Sequence, residues 1–252
     1  MSDKINLENV SIVLCRPRYP ENIGAAARAM CNMGIEQLVL VKPQNCDLER
    51  ICKMATHAAL EVVERMALYD ELEPALGDFN FIVGTTARVG GQRKGIISLP
   101  NLAEKLHPIS AQNRIAVVFG PEDRGLSNKD LRSCHALVNI PTAEFSSLNL
   151  AQAVMVVCYE LYQYTEKSAG TFLPRLANRH ELDAMYEQLK DVLIRISFIN
   201  PDNPDYFMNN FRHFFSRLPL RAKEVQIIRG LCRQIKWYGD KRYNDGLHAK
   251  TD

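Results

Sequence analysis

The sequence lacks any apolar run approaching the roughly 20 residues that a membrane-spanning helix needs. It also lacks the basic segment followed by an apolar segment that marks a secretory leader. The seven cysteines are odd in number and include no Cys-x-x-Cys pair, which argues against a disulfide framework and against a structural zinc site. We therefore expect a cytoplasmic protein that holds no metal.

The common nucleotide-binding fingerprints are missing as well. No G-x-G-x-x-G follows the first predicted strand, and no G-x-x-x-x-G-K-[ST] occurs anywhere in the chain. A nicotinamide enzyme or a nucleoside-triphosphate enzyme of the usual kind is therefore set aside. Internal repeats and low-complexity tracts are absent too.

The charge of the chain is small in total but unevenly distributed. The formal net charge is +2, yet residues 206–252 carry ten Lys or Arg against four Asp or Glu. A basic end on a near-neutral protein is typical of an appendage that binds a polyanion. A solvated basic surface would have the same composition, so charge alone leaves both interpretations open.

The first two thirds of the chain alternate between strand-like and helix-like segments. The length of 252 residues, with 46% hydrophobic and 24% charged residues, fits one ordinary domain and a small second one. Predicted strands cover 10–15, 38–42, 81–84, 115–119 and 136–140, and predicted helices cover 22–33, 56–68, 99–106 and 148–164. This alternation predicts an α/β domain with a mainly parallel sheet.

Beyond residue 166 the pattern changes. We expect a linker at 167–175 and then a small all-α domain at 176–252, with helices at 181–199, 206–215 and 222–237. The predicted helix at 181–199 has apolar residues at three- and four-residue steps, which place them on one face of the helix. They are Leu182, Met185, Leu189, Val192 and Ile196.

Several predicted strands are followed by a turn that consists of polar residues, glycine or proline. Thr85-Thr86, Gly120-Pro121-Glu122 and Pro141 each come at the end of a strand-like run, and Ser147-Leu148-Asn149 opens a long apolar helix. Ligands of open α/β sheets bind outside the carboxyl ends of the strands, so these corners predict a ligand crevice. Taken singly, each corner is equally compatible with a plain turn.

The first strand leads into R-P-R-Y-P-E-N-I-G-A-A-A-R at residues 16–28. We expect a helix to begin near Asn22, which is a good N-cap residue. Gly24 and the alanines after it would let another backbone approach closely. Arg28 follows about one and a half turns further on. It emerges from a small apolar face, which favours a functional role over that of an ordinary surface arginine.

Three segments together resemble the motifs of the SpoU branch of the SPOUT methyltransferases. They are N-x-G-x-x-x-R at 22–28, V-V-F-G-P-E-x-x-G-L-S at 117–127 and I-P-x-x-x-x-x-S-L-N-L-A-Q-A-V at 140–154. The tail at 211–237 looks like the helical extension of the TrmJ group, which methylates the ribose 2′-hydroxyl of a pyrimidine in the tRNA anticodon loop. The resemblance implies the same reaction with tRNA as partner. An rRNA methyltransferase and a non-catalytic RNA-binding factor are the alternatives.

The resemblance also implies a fold, a cofactor and an assembly. The fold is the SPOUT trefoil-knot domain, although threaded connections are nearly absent from proteins. The assembly is a homodimer in which residues of both chains form each active site. The helix at 148–164 is a candidate interface element. The cofactor is S-adenosylmethionine, and the residues implied to bind it are Thr85, Thr86, Ala87, Gly120, Ile140, Ser147, Leu148 and Asn149.

The catalytic residues implied by the resemblance are Arg28, Asn22, Glu122, Ser147 and Asn149. Because a guanidinium is effectively always protonated, we expect Arg28 to clamp a phosphate and the developing oxyanion rather than to act as a base. Ser147 and Asn149 would hold the ribose or the cofactor, and Glu122 would order its loop or relay a proton. A basic loop with Arg88, Arg93 and Lys94 either covers RNA phosphates or is an ordinary surface loop.

Overall fold

The structure is a computed structural model that describes residues 3–88, 95–144, 147–165, 173–216 and 218–248. The chain divides into two compact units, Met1–Arg175 and Leu176–Asp252. Most of the predicted linker, residues 166–172, lies outside the described residues. Within the described parts of the chain, no helix is long and apolar enough to cross a membrane.

The N-terminal unit contains a seven-stranded sheet in which every described pairing is parallel. Its strands are β1 (Val10–Cys15), β2 (Gln37–Val41), β3 (Ala67–Tyr69), β4 (Phe81–Thr85), β5 (Ile96–Ile97), β6 (Ile115–Phe119) and β7 (Ala136–Val138). The strand order is β3-β2-β1-β6-β4-β7-β5. β1 and β6 are buried along their whole length, as expected of a sheet covered on both faces. The predicted α/β class with a parallel sheet is confirmed.

The helices of this unit connect the strands. They are α1 (Pro20–Asn32), α2 (Leu48–Ala55), α3 (Leu60–Glu64), α4 (Leu72–Ala75), α5 (Leu99–Ser110), α6 (Asn128–Leu131) and α7 (Leu150–Gln163). Short 3-10 helices cover Leu7–Asn9 and His57–Ala59. Gly34 follows α1 with φ +70°, the left-handed conformation expected of a residue that ends a helix.

The helix predicted at 56–68 is wrong as one continuous element. Thr56 has φ +59° and ψ 172° and caps the end of α2, and of the residues after it only Leu60–Glu64 are α-helical. The segment is instead the 3-10 helix, then α3, then β3, whose residues pair with β2 at the edge of the sheet. Leu68, the last residue of the predicted helix, therefore lies in the edge strand β3 and pairs with Leu40 of β2.

The N-cap expected at Asn22 is also wrong. α1 begins at Pro20, and its N-cap is Tyr19, whose backbone is extended. Pro is favoured at the first helical position because it has no N–H to leave unpaired and its φ is already helical. Asn22 therefore lies inside the first turn, and its side chain is free to bond elsewhere.

The C-terminal unit contains α8 (Arg179–Arg195), α9 (Pro204–Phe215) and α10 (Ala222–His248). α8 begins with a capping box, in which Asn178 and Glu181 bond each other's backbone N–H groups. The core of the C-terminal unit includes the fully buried Met185, Ile199 and Met208. Leu182 and Val192 are buried as predicted, but Ile196 is 53% exposed because α8 ends one residue before it.

α1 and α2 approach each other most closely at Gly24. A Cβ atom built there would lie 2.1 Å from the Ile51 carbonyl oxygen and 3.0 Å from the Ala55 nitrogen. The sequence-based expectation of a close backbone approach at Gly24 is confirmed. The two helices are held together by backbone contact at a position where only hydrogen fits.

We predict that Gly24→Ala lowers the free energy of unfolding by about 1–3 kcal/mol, because α1 and α2 must separate to admit the methyl group. Urea unfolding followed by circular dichroism measures this change. Gly239→Ala is the control, since a Cβ there meets no heavy atom within 4 Å. On a helix this control should gain about 0.5–1 kcal/mol. Equal stabilities of the wild type and Gly24→Ala would contradict the prediction.

Candidate functional site

A cavity of about 250 Å³ opens at the carboxyl ends of three adjacent strands. β6, β4 and β7 are consecutive in the sheet, so the segments that follow them meet at the same edge. The predicted residues that line this cavity are Thr85, Thr86, Ala87, Gly120, Glu122, Ile140, Ser147 and Leu148. The structure therefore brings together the strand-end corners that the sequence singled out.

The loop after β6 folds tightly back on itself at Gly120. A Cβ atom on Gly120 would lie 2.2 Å from the Gly125 carbonyl carbon and 2.3 Å from the Leu126 nitrogen. The Gly125 N–H donates to the Pro121 carbonyl at 2.9 Å, and Gly125 has φ +65°. The loop thus presents main chain to the cavity, without a side chain at its tightest point.

The threonines after β4 bond the neighbouring strands. The Thr85 hydroxyl donates to the Val118 carbonyl of β6 at 3.0 Å, and the Thr86 N–H donates to the Val138 carbonyl of β7 at 2.9 Å. The Asn139 amide donates to the Thr86 carbonyl at 2.8 Å. Thr85 was predicted to bind the ligand. Its hydroxyl instead joins the carboxyl ends of β4 and β6.

A chain of side-chain hydrogen bonds joins the three sequence motifs. Asn149 caps α7, since its Oδ1 accepts from the Ala151 N–H at 2.9 Å, and its side-chain amide donates to Asn22 Oδ1 at 2.9 Å. The Asn22 amide in turn donates to Glu122 Oε1 at 2.7 Å. Glu122 Oε2 accepts from the Arg18 N–H at 3.0 Å. Asn22 and Asn149 do not line the cavity, but both are tied to Glu122, which does.

Arg16 and Asp130 form a second link, which joins the segment between β1 and α1 to α6. The Arg16 guanidinium bonds both oxygens of the Asp130 carboxylate, whose side chain is 7% exposed. Asp130 also accepts from the Ser127 N–H at 2.8 Å and the Ser127 hydroxyl at 2.7 Å. Burial opposes ionisation of Asp130, but the bonds from Arg16 and Ser127 prevail and keep its pKa below the usual value. No sequence pattern indicated this pair, since its members are 114 residues apart.

Cys15 precedes Arg16 at the end of β1 and is fully buried. Burial raises the pKa of the Cys15 thiol to about 12. The thiol is therefore protonated at neutral pH and is not a nucleophile. No three His, Cys, Asp or Glu side chains cluster to hold a metal in the described ranges.

Arg28 stands apart from the cavity. Its side chain is exposed on α1, and it is not among the residues that line the cavity. Within the described part of the chain, its guanidinium has no hydrogen bond or ion pair, so the partner that we expected is not an intrachain one. Arg88 of the basic loop does line the cavity and donates to the Arg124 carbonyl at 3.5 Å. Arg93 and Lys94 lie outside the described residues.

Comparison with known proteins agrees with this arrangement. Residues 9–159 match the SpoU rRNA Methylase family, and residues 180–246 match the C-terminal domain of the tRNA methyltransferase TrmJ. The first match spans the parallel sheet and all three motifs. The second falls in the helical unit. Fold and site together define an α/β methyltransferase domain of the SPOUT type, followed by a helical domain.

Individual relatives cover nearly the whole chain. The chain is 34% identical over 244 residues to the tRNA (cytidine/uridine/adenosine-2'-O-)-methyltransferase TrmJ of Pseudomonas aeruginosa, covering 91% of this chain and 95% of that one. It is 31% identical to the tRNA (cytidine-2'-O-)-methyltransferase TrmJ of Methanocaldococcus jannaschii, covering 84% and 92%. The crystal structure of TrmJ from Z. mobilis ZM4 is similar with a TM-score of 0.76 and 29% identity, covering 90% and 98%.

The chain therefore belongs to the SpoU methylase family of SPOUT methyltransferases, and it carries a TrmJ-type C-terminal domain. The predicted fold class, a SPOUT domain with a parallel sheet followed by a small all-α domain, is confirmed. The threaded connection itself stays a prediction.

We predict that Arg16→Met lowers the free energy of unfolding at pH 7 by about 1–3 kcal/mol, since Asp130 loses its cation while remaining buried. This is less than the roughly 3–5 kcal/mol expected for a fully buried pair, because the Arg16 side chain is 35% exposed. Urea unfolding measures the loss. Arg18→Met, which breaks the exposed ion pair with Asp123, is the control and should leave the free energy of unfolding close to that of the wild type.

The Arg16–Asp130 pair should also make the free energy of unfolding depend on pH. The pKa of Asp130 is depressed in the folded protein, so its contribution is complete above its ordinary value of 3.8 and is lost as the pH falls towards the folded value. The stability difference between the wild type and Arg16→Met should therefore shrink below about pH 4. A difference that stays constant down to pH 3 would assign the effect to packing of the Arg16 stem instead.

Proposed function

We propose that this protein transfers a methyl group from S-adenosylmethionine to the ribose 2′-hydroxyl of a pyrimidine nucleotide in the tRNA anticodon loop, in the cytoplasm. The observation that carries the proposal is the convergence of the segments after β4, β6 and β7 on one cavity, joined to the start of α1 through Glu122. The names of the relatives from Pseudomonas aeruginosa and Methanocaldococcus jannaschii support the choice of tRNA and of the 2′-oxygen.

The residues that line the cavity fit the chemistry of S-adenosylmethionine. Leu126, Ile140 and Leu148 offer apolar surface to a flat purine, and Gly120 leaves main chain accessible beside them. The carboxylates of Glu122 and Asp123 lie at the same cavity and suit a ligand that carries hydroxyl groups and positive charge. When bound, the cofactor supplies a methyl group that its sulfonium already activates.

The polar residues around Glu122 act as an orienting network. Both oxygens of this carboxylate accept hydrogen bonds, one from Asn22 and one from Arg18. A carboxylate used in this way fixes the start of α1 relative to the cavity. We therefore assign Glu122, Asn22 and Asn149 the task of alignment, which supplies much of the rate when the donor is already activated.

Arg28 is assigned to the acceptor. Its exposed and unpaired guanidinium is available to hold the phosphate beside the target ribose and the charge that develops on the 2′-oxygen. Because Arg28 does not line the cavity of its own chain, we infer that the protein acts as a homodimer in which Arg28 of one protomer serves the cavity of the other. This arrangement agrees with what the family resemblance implies.

The C-terminal unit is assigned to tRNA docking. α10 carries exposed basic side chains at Lys223, Arg233 and Arg242 that make no ion pair with any described residue. Lys236, by contrast, lies 3.5 Å from Asp191 and is partly neutralised. Contacts from the free basic residues to phosphates would make tRNA affinity fall steeply with salt.

The proposed function is tested by incubating the full-length protein with S-adenosylmethionine and either unmodified tRNA or unmodified ribosomal RNA. Nuclease digestion and mass mapping then locate any methylated nucleotide. We expect a 2′-O-methylpyrimidine in the anticodon loop and no methylation of ribosomal RNA. Methylation of ribosomal RNA alone would support the function that the matched family's description names. Absence of methylation on either RNA would favour a non-catalytic RNA-binding factor.

Two variants separate cofactor binding from catalysis. We predict that Arg28→Ala lowers the single-turnover rate by about 10²–10³-fold, the range for loss of one group that stabilises an oxyanion, while calorimetry with S-adenosylmethionine stays unchanged. Gly120→Ala should weaken cofactor binding, because the added Cβ forces the Gly125–Leu126 main chain away from the cavity. Loss of cofactor binding in Arg28→Ala with normal residual turnover would refute the assignment of Arg28.

Mixing the two inactive variants tests the homodimer. If Arg28 serves the partner's cavity, mixed dimers contain one site with neither substitution, and part of the activity returns. If Arg28 serves its own cavity, each site in a mixed dimer carries one defect and no activity returns. Co-purification of untagged Gly120→Ala with tagged Arg28→Ala from the mixture is the control for exchange of subunits.

A further inference from the structure

Tyr19 lies in the chain between two residues that bond Glu122 at the cavity, and half of its surface is in solvent. It is the N-cap residue of α1 and is 51% exposed. Arg18 precedes it and Asn22 follows it by three residues, and both of these bond Glu122 at the cavity. The position of the Tyr19 backbone is therefore fixed relative to the cavity by two hydrogen bonds to one carboxylate.

Exposure by itself would not single out this tyrosine. Tyr159 and Tyr162 on α7 are exposed to a similar extent, at 51% and 53%. Tyr19 differs from them because a cation lies against its ring. The Arg18 guanidinium carbon is 5.8 Å from the centroid of the Tyr19 ring, which is the distance of a cation–π contact.

Arg18 is itself held in place from two sides. Its Nη1 atom lies 3.1 Å from Asp123 Oδ2, and Asp123 also accepts from Arg124 Nε at 3.1 Å. Asp123 lines the cavity, as does Arg124. The aromatic ring is thus backed by a guanidinium that is anchored to the loop after β6. A ring with one face covered by a fixed cation has its exposed part available for another planar group.

We propose that Tyr19 is a stacking platform for the base of the nucleotide whose ribose is methylated. This inference rests on the proposed function, because it takes its ligand from the acceptor RNA. Single-stranded RNA is recognised by stacking of unpaired bases on aromatic rings and arginine planes. The base belongs to the same nucleotide as the reacting 2′-hydroxyl, so it must lie next to the cavity when that hydroxyl enters.

The chemistry also says what such a platform recognises. Every base has a π-face, so stacking on Tyr19 holds a base without reading its hydrogen-bonding edge. A platform of this kind accepts cytosine and uracil alike. It requires the target nucleotide to be unpaired, which agrees with a site in a loop rather than in a helical stem.

The test is a double-mutant cycle between the protein and the RNA. The target nucleotide is first mapped with the wild-type protein as described above. Dissociation constants are then measured by fluorescence anisotropy for an anticodon stem-loop RNA and for the same RNA lacking only the target base. The full-length protein is used with S-adenosylhomocysteine present. The variants are Tyr19→Ala, Tyr19→Phe and, as a matched tyrosine control on the edge strand β3, Tyr69→Ala.

We expect Tyr19→Ala to weaken binding of the intact RNA by about five- to a hundredfold. Binding of the RNA without its target base should change by less than about threefold in the same variant. Tyr19→Phe and Tyr69→Ala should bind both RNAs as the wild type does, because stacking needs the ring and not the hydroxyl. Calorimetry with S-adenosylmethionine should give the wild-type affinity for every variant.

Two outcomes overturn the inference. Unchanged binding of the intact RNA by Tyr19→Ala would show that the ring does not contact the acceptor. An equal loss for both RNAs would show that Tyr19 supports the local fold or contacts the backbone rather than the base. Failure of the proposed function is seen earlier and separately, because the wild-type protein would then methylate no anticodon-loop nucleotide in the mapping step.

Discussion

The carboxylate of Glu122 is the interaction on which the site depends. It receives one hydrogen bond from the Asn22 side chain and one from the Arg18 backbone, and it lies on the loop that lines the cavity. These bonds span about a hundred residues of sequence, and the further bond from Asn149 to Asn22 spans 127. Three segments that are remote in the chain thereby form a single surface.

The order of strands explains why this is possible. β6 lies between β1 and β4, and β7 lies between β4 and β5, so the last two strands of the chain lie inside the sheet and not at its edges. The loop after β6 consequently has the start of α1 on one side and the segments after β4 and β7 on the other. The Arg16–Asp130 pair ties α6 to the segment after β1. The hydrogen bonds of Thr85 and Thr86 tie the end of β4 to β6 and β7. Much of the hydrogen bonding near the cavity is therefore structural.

Sequence patterns predicted the fold best where burial is uniform. β1 and β6 begin and end at the predicted residues, since continuous apolar runs in the centre of a parallel sheet are hard to mistake. Short elements such as β3, β5, α4 and α6 were missed because two to four residues carry too little periodicity. The helix predicted at 56–68 is confirmed only for Leu60–Glu64, because pairing with β2 at the sheet edge outweighed local helical spacing in its last residues.

For the site, the sequence predicted most of the residues that meet, Arg28 excepted, but not how they bond. Asn22 is the clearest case, because a local capping rule assigned its side chain to the helix start, whereas tertiary contacts assign it to Glu122 and Asn149. Arg16 and Asp130 carried no local signal at all. Tyr19 and Arg18 were likewise unremarked in sequence, because a cation–π contact becomes visible only when the two side chains have positions.

The amide of Asn22 determines what the network of Glu122 can transmit. Its oxygen accepts from Asn149 and its nitrogen donates to Glu122, so the bonds run in one direction. An amide neither gains nor releases a proton near neutral pH, and it therefore interrupts any proton wire between Asn149 and the carboxylate. The network conveys orientation and no charge. A proton that reaches Glu122 therefore cannot pass through Asn22 to Asn149.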